Sequence, residues 1–303
     1  MILVGPAGVA IGGALVGVVP TFGLLLIANA LLGLAGSGYH PAASYLISRT
    51  TRPERRGSAL GVHVIGGSAS YFLAPLMAGG ISLALGWRTT YIILSVPTLA
   101  LGVVLTLLLR RAHVRRAEGD ATEDATAEGA ASARTWVQLI TFLVLATLGG
   151  AMVGSAVGFI PLMLVDSYGV REEAAAGLVA LVFSVGLWAA PVAGHLSDRI
   201  GKIRLLLVAT AMVIPVLYFL PRTPMGPLLY LLLILLGVYI FVRMPVSESF
   251  LYTHAPARFR STLLGVYFLG ASLGGGIFTP LVGRWADVRG FDQSYALVAG
   301  SPA

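Results

Sequence analysis

The chain has 303 residues, of which 57% are hydrophobic and only 11% charged, against about 25% charged in an ordinary soluble domain. With a mean hydropathy of +0.88 it lacks the polar surface of a soluble protein and reads as an integral membrane protein. The absence of cysteine excludes disulfides, thiol nucleophiles and cysteine-ligated metals, and the formal net charge of +7 falls mainly in connections between apolar runs, a topology signal that argues against a nucleic-acid partner.

A helix needs roughly 20 apolar residues to cross the hydrocarbon core, and no stretch shows the alternating polarity of a transmembrane strand. Apolar spans are predicted at 2–19, 21–48, 58–84, 88–110, 136–166, 174–196, 203–220, 226–252 and 260–284, with a half-length run from Ser294 to Ala303. Residues 111–135 mix charges of both signs with Ala, Thr and Gly and are predicted to form a flexible linker. The chain thus divides into 1–110, a linker 111–135, and 136–303. Arginine accumulates on one side of the membrane, at Arg49, Arg52, Arg55, Arg56, Arg115, Arg116, Arg199 and Arg258, while Arg88, Arg171, Arg222, Arg284 and Arg289 fall on the other. The first side, linker included, is predicted to be cytoplasmic. Met1 begins directly on an apolar run, without the basic lead-in and cleavage site of a signal peptide. Pro161, Pro191, Pro215, Pro245 and Pro280 lie inside spans and are predicted to kink or break them. The glycine runs Gly66-Gly67 and Gly274-Gly275-Gly276 are predicted to let helices approach closely.

The chain also contains a repeat. One constant offset carries Leu31, Leu32 and Gly33 onto Leu235, Leu236 and Gly237, Pro41 onto Pro245, Arg56 onto Arg260, and Gly61 onto Gly265. The register continues through Gly66/Gly270, Ser68/Ser272, Gly79/Gly283, Gly86/Gly290 and Tyr91/Tyr295. Retention of Pro, Arg and Tyr in one register points to duplication. Spans 136–166 and 174–196 have no partner in the first part, so the complete unit is predicted to have six spans, with two further spans ahead of Met1 and a longer final span after Ala303.

A parallel repeat of six spans resembles the major facilitator superfamily of transporters. The run Gly194-His-Leu-Ser-Asp198-Arg199-Ile-Gly201-Lys202-Ile-Arg204 is similar to that family's signature loop, here in its 8–9 position. The run from Gly66 and Gly67 through Pro75 to Gly79 and Gly80 resembles the fifth-helix motif of antiporters, with Ala74 in place of the usual Gly. Drug–proton antiporters carry Arg four residues before the fourth-helix Gly; Asn29 stands there, before Gly33. Tyr39-His40-Pro41, with the Gly66–Gly80 run, resembles the fosmidomycin-resistance subgroup. The resemblance implies an all-α membrane bundle of two pseudo-twofold-related halves, equivalent to helices 3–6 and 7–12, with about nine full transmembrane helices and a partial one.

Three groups of residues carry the functional expectation. Gly194, Asp198, Arg199, Gly201, Lys202 and Arg204 are expected to form a cytoplasmic conformational latch, with Asp198 either pairing with an arginine or accepting from the start of a neighbouring helix. Arg243 lies inside a span, where a charge costs roughly 2.5–3.5 kcal/mol. It either serves substrate or coupling, holding a carboxylate, phosphonate or phosphate bidentately, or pairs structurally with Glu248. The repeat maps Tyr39 onto Arg243, and His40, which titrates near neutrality, is a coupling or substrate candidate beside it. Gly66, Gly67, Pro75, Gly79 and Pro245 are expected at a gating kink.

No metal-binding or catalytic constellation and no nucleotide-binding motif occurs, so neither an enzyme nor a cofactor is expected. The expectation is a secondary active transporter working by alternating access, monomeric in the lipid bilayer, with a small-molecule substrate and protons as partners, exporting its substrate. The scarcity of lysine, with Lys202 alone, fits a GC-rich bacterial source and hence the inner membrane. The alternatives are a proton-coupled uptake symporter of a small organic anion and a membrane protein that does not transport.

Overall fold

The computed structural model describes residues 4–111 and 132–300, and among them every regular element is helical. This is what lipid imposes, because a backbone surrounded by hydrocarbon must satisfy its own polar groups. In chain order the helices are α1 Val4–Val18, α2 Phe22–Ser37, α3 Tyr39–Thr50, α4 Arg56–Leu85, α5 Trp87–Arg111, α6 Ala133–Gly158, α7 Ile160–Tyr168, α8 Glu172–Ser184, α9 Gly186–Ile200, α10 Lys202–Phe219, α11 Pro227–His254 and α12 Arg260–Val298. Among the described residues, eight stretches are long and apolar enough to span a bilayer, and Gly5–Val18 is a shorter apolar helix. Most of the predicted linker lies outside the described residues.

Several spans contain breaks that the apolar pattern conceals. The span 21–48 divides at Gly38, 136–166 at Phe159 with Pro161 opening the next helix, and 174–196 at Val185. By contrast Pro191, Pro215, Pro245 and Pro280 sit within helices that run on. The expected breaks at these four prolines do not form; each removes one donor, and the turns on either side keep their ladders. The last apolar run follows a kink: Gly290, at φ 80° and ψ 169°, is non-helical and divides α12 into two helices, the second of which carries this run.

The duplication is visible in the backbone. Short 3₁₀ turns at Pro53–Arg55 and Ala257–Phe259 precede helices that start at Arg56 and Arg260. Gly86 and Gly290 adopt φ of 82° and 80°. All three correspondences share the register read from the sequence.

The chain clusters into two compact units. One comprises Met1–Leu46, Leu73–Ala131 and Pro256–Ser261. In it α1 packs on α2 and α5. Gly8 and Gly12 of α1 face Ala35 and Leu32 of α2, and Gly13 and Gly17 face Ser95 and Ile92 of α5.

The other unit comprises Ile47–Phe72, Ser132–Ala255 and Thr262–Ala303. Helix α11 is its centre, packed by α8, α9 and α10, and its Leu229, Leu233, Leu236 and Val246 are fully buried with Leu217, Leu220, Ile160 and Leu164. In the same unit the start of α4 crosses α9 antiparallel on small residues. A Cβ at Gly61 would collide with the Ala190 carbonyl oxygen, and one at Gly194 with that of Gly57. Ser68 donates to the Phe183 carbonyl at 2.5 Å.

The predicted glycine contacts need correction here. A Cβ at Gly66, Gly67 or Gly79 meets nothing within 4 Å, and neither does one at Gly275 or Gly276. The close crossing uses Gly57 and Gly61 instead, one and two turns nearer the helix start. In the later run only Gly274 is confined, by Ala151 of α6. The contrast makes a paired test. Gly61→Val should destabilise the detergent-purified protein on the scale of an overpacked contact, about 1–3 kcal/mol, seen as a lower thermal midpoint. Gly66→Ala should not lower it; equal losses at both positions would refute the assignment of the crossing.

Candidate functional site

Two polar sites are built inside the larger unit. The first lies where α9 ends. The residues read as a loop are helical: Gly194, Asp198 and Arg199 belong to the last turns of α9, and Lys202 and Arg204 to the first turn of α10. Only Gly201, at φ 97°, separates the two helices. A turn that tight requires the left-handed region, which glycine enters without a Cβ penalty.

Along α9 the positions Gly186, Ala190, Gly194 and Asp198 recur every fourth residue and form one stripe. The first three let α4 approach; the fourth meets its exposed end. The Asp198 carboxylate accepts from the backbone N–H of Gly57 at 3.0 Å and of Ser58 at 2.9 Å, and from the Ser58 hydroxyl at 3.0 Å. The first N–H groups of a helix have no partner within it and carry its positive dipole end, so Asp198 acts as a cap supplied by another helix. Of the two roles open to Asp198, the geometry takes capping. A Cβ at Gly57 would lie 2.7 Å from the Asp198 oxygen, so only glycine admits the carboxylate. Arg56, beside this end, donates through Nε to the Ser48 carbonyl at 2.8 Å and lies 4.8 Å from the centre of the Tyr252 ring.

The second site surrounds Arg243 in the middle of α11. Its Nη1 donates to the Ala146 carbonyl of α6 at 3.2 Å and to the Tyr267 hydroxyl of α12 at 3.0 Å. Gly150, one turn beyond Ala146, makes the space: a Cβ there would stand 2.6 Å from the guanidinium carbon. Glu248, 1% exposed, acts on both Arg243 and Tyr267 through its charge. Arg243 directs its hydrogen bonds to Ala146 and Tyr267. Pro245 sits buried in α11 without interrupting it.

Sequence reasoning missed Ala146, Gly150 and Tyr267. One signal was available: the repeat register places Tyr267 on His63 just as it places Arg243 on Tyr39, so the same pair of positions is polar in both copies.

The remaining candidates belong to the smaller unit or to the span through α4. Tyr39 and His40 open α3 just after the break at Gly38, with their rings edge to face at 5.6 Å. Asn29 turns its amide back to the Leu25 carbonyl of its own helix at 2.9 Å, which satisfies it locally. Helix α4 runs through Pro75 without a break.

Opposite Asp198 along the helices, the Tyr168 hydroxyl lies 2.8–3.2 Å from the carbonyls of Leu220, Pro221 and Thr223. Burial first, and the charge of Asp292 second, hold this hydroxyl above the usual tyrosine range, so it remains a donor to that turn. Arg222 donates from there to the Asp292 carbonyl at 2.8 Å.

The sequence profile of the Major Facilitator Superfamily matches residues 1–288. The chain is 31% identical over 262 residues to the multidrug resistance protein MdtG of Enterobacter lignolyticus, a match covering 84% of this chain and 61% of that protein. It is 26% identical over 308 residues to MdtG of Klebsiella pneumoniae, covering 99% of this chain and 73% of the relative. Among solved structures it superposes on the human organic anion transporter TETRAN with a TM-score of 0.79 at 16% identity, over 99% of this chain and 74% of that one. FucP in its outward conformation gives 0.72 at 15% identity, over 99% and 80%. These two likenesses speak for the fold. The chain therefore belongs to the Major Facilitator Superfamily, a family of multi-pass membrane transporters.

Proposed function

We propose that the protein is a secondary active transporter that exports a small organic molecule by alternating access, coupled to protons, from the inner membrane of a bacterium. The linker 111–135 lies on the cytoplasmic side, and the working unit is a monomer. MdtG, named a multidrug resistance protein, supports export, and the fucose:proton symporter FucP supports proton coupling.

The observation that carries the reading is the Asp198 cap. Hydrogen bonds to a charged group contribute roughly 1.5–3 kcal/mol each, and about 1.4 kcal/mol is tenfold in a population. A carboxylate holding a helix start by two such bonds can therefore bias a conformational equilibrium strongly and still let go. The crossing beside it is made of Gly57, Gly61, Ala190 and Gly194, which separate without disentangling large side chains. Asp198 and the α4 start thus form a latch that is firm when shut and cheap to open. In this reading Arg243, Glu248, His40, Tyr39 and Asn29 are the substrate and coupling residues, and Pro245 and the Gly66–Gly79 segment accommodate the helix motion.

A second reading is uptake of a small organic anion with protons, favoured by Arg243 and by the likeness to TETRAN, an organic anion transporter.

Reconstituted vesicles separate these readings. Export predicts accumulation of a fluorescent drug in inside-out vesicles that is driven by an imposed pH gradient and abolished by a protonophore. Uptake predicts anion-dependent alkalinisation on the outer side. Flux equal to that of empty vesicles under both conditions would leave the protein a non-transporter.

The latch has its own test, helped by the absence of native cysteine. Asp198→Ala removes the cap, which costs about 1 kcal/mol. Labelling by an impermeant maleimide of a reporter Ser48→Cys, a position fully buried beside Arg56, should then quicken roughly fivefold. An unchanged labelling rate would make Asp198 a static cap.

A further inference from the structure

Arg243 presents a guanidinium divided between two edges. Both of its hydrogen bonds leave from Nη1, to Ala146 and Tyr267. Among the described residues, Nε and Nη2 donate to no protein group. A guanidinium offers five donors in a rigid plane, and the Nε–Nη2 edge is the fork that receives two oxygens of a carboxylate or phosphonate side by side.

The fork is also held in place. Gly150 lies flat against the guanidinium, and a Cβ there would meet Cζ and Nη1 at 2.6 Å and Nη2 at 2.8 Å. The Tyr267 ring centre is 6.0 Å from Cζ, and Tyr239 stands one turn before Arg243 on α11 and is coupled to its charge. Arg243 keeps part of its surface exposed, while its guanidinium lies deeply buried among these groups.

Fastening α11 to α6 and α12 needs only two N–H hydrogens, which an asparagine amide would supply without placing a charge inside a span. A fixed cation with an aromatic flank and an unengaged fork serves another end. We infer that the Nε–Nη2 edge of Arg243 is a subsite for an anionic group, carboxylate or phosphonate, on a small aromatic or apolar body, with Gly150 and Tyr267 as its positioning residues. This rests on the reading above that Arg243 serves the substrate, and it narrows that substrate to anions. Glu248 opposes the incoming charge from five residues along the same helix.

The test is ligand binding to the purified full chain, measured by calorimetry and by the shift of its unfolding temperature, with benzoate, phenylphosphonate and the neutral benzamide. Benzoate and phenylphosphonate should bind saturably and benzamide at least tenfold more weakly. Arg243→Lys should weaken benzoate tenfold or more, because a point charge cannot reproduce the fork. Gly150→Ala keeps the charge but displaces the plane, and should erase the preference for benzoate over benzamide. Glu248→Gln should tighten both anions. Unfolding temperatures without ligand identify any variant that has simply lost its fold, and Gly150→Ala and Glu248→Gln then decide. Equal binding of benzoate and benzamide, no saturable anion binding, or benzoate affinity unchanged in both Arg243→Lys and Gly150→Ala overturns the inference even where vesicles transport. Intact anion binding without proton-driven flux overturns the transport reading instead.

Discussion

Hydrocarbon supplies no hydrogen-bond partner, and the polar architecture of this protein follows from that. Most hydroxyls and amides inside the spans bond the carbonyl a turn earlier in their own helix: Asn29 to Leu25, Ser95 to Tyr91, Thr106 to Gly102, Ser155 to Ala151, and Thr253 to Ser249. Such bonds neutralise a polar group but join nothing to anything else. The few side chains that reach another element mostly answer a gap in the backbone ladder. Ser68 bonds the Phe183 carbonyl beside the break between α8 and α9, and Tyr295 that of Ala156 beside the break between α6 and α7. Tyr168 gathers the carbonyls at the end of α10, and Asp198 the amides at the start of α4. Arg243 differs, since Ala146 lies within an unbroken stretch of α6; like the Thr279–Ser155 hydroxyl pair, its reach mends no break.

The same constraint explains how far the sequence could be read. Span positions were legible because thickness and apolarity must agree, and the duplicated register was legible because Pro41/Pro245, Arg56/Arg260 and Gly86/Gly290 occupy places where few residues substitute. The breaks at Gly38, Phe159 and Val185 were not. Two of them have partners far along the chain: the Ser68 hydroxyl beside Val185 and the Tyr295 hydroxyl beside Phe159 lie 115 and 139 residues from their acceptors, and no local window contains either pair. Proline misled in the other direction. Four of the five prolines singled out as kinks or breaks sit within helices that run on, because three dimensions tolerate a single missing donor.

Glycine had the same ambiguity. Gly66-Gly67 attracts attention as a pair, but permission to approach is not approach. The confined residues Gly57, Gly61 and Gly194 are isolated in the sequence, Gly150 stands beside an unconfined Gly149, and all acquire meaning only from what lies opposite. The Arg243 site was half legible on these terms. A charge inside a span announces itself; its acceptor is 97 residues upstream and its phenolic partner 24 downstream. Asp198 was legible in its chemistry and misplaced in its setting, because a helix that runs to within one residue of the next resembles a loop when read as text.

That one-residue joint has a mechanical meaning. The connection from α10 to α11 has play: several residues, among them Pro221 and Gly226, separate the two helices. Between α9 and α10 there is only Gly201, so the two behave like arms of a bell crank on a single pin. In the latch proposed above, Asp198 swings away from α4 with no slack to absorb the stroke, and α10 is dragged along with it. A release at the lipid–water boundary is in this way delivered, without lost motion, to the helix that lies against α11 and hence to the neighbourhood of Arg243.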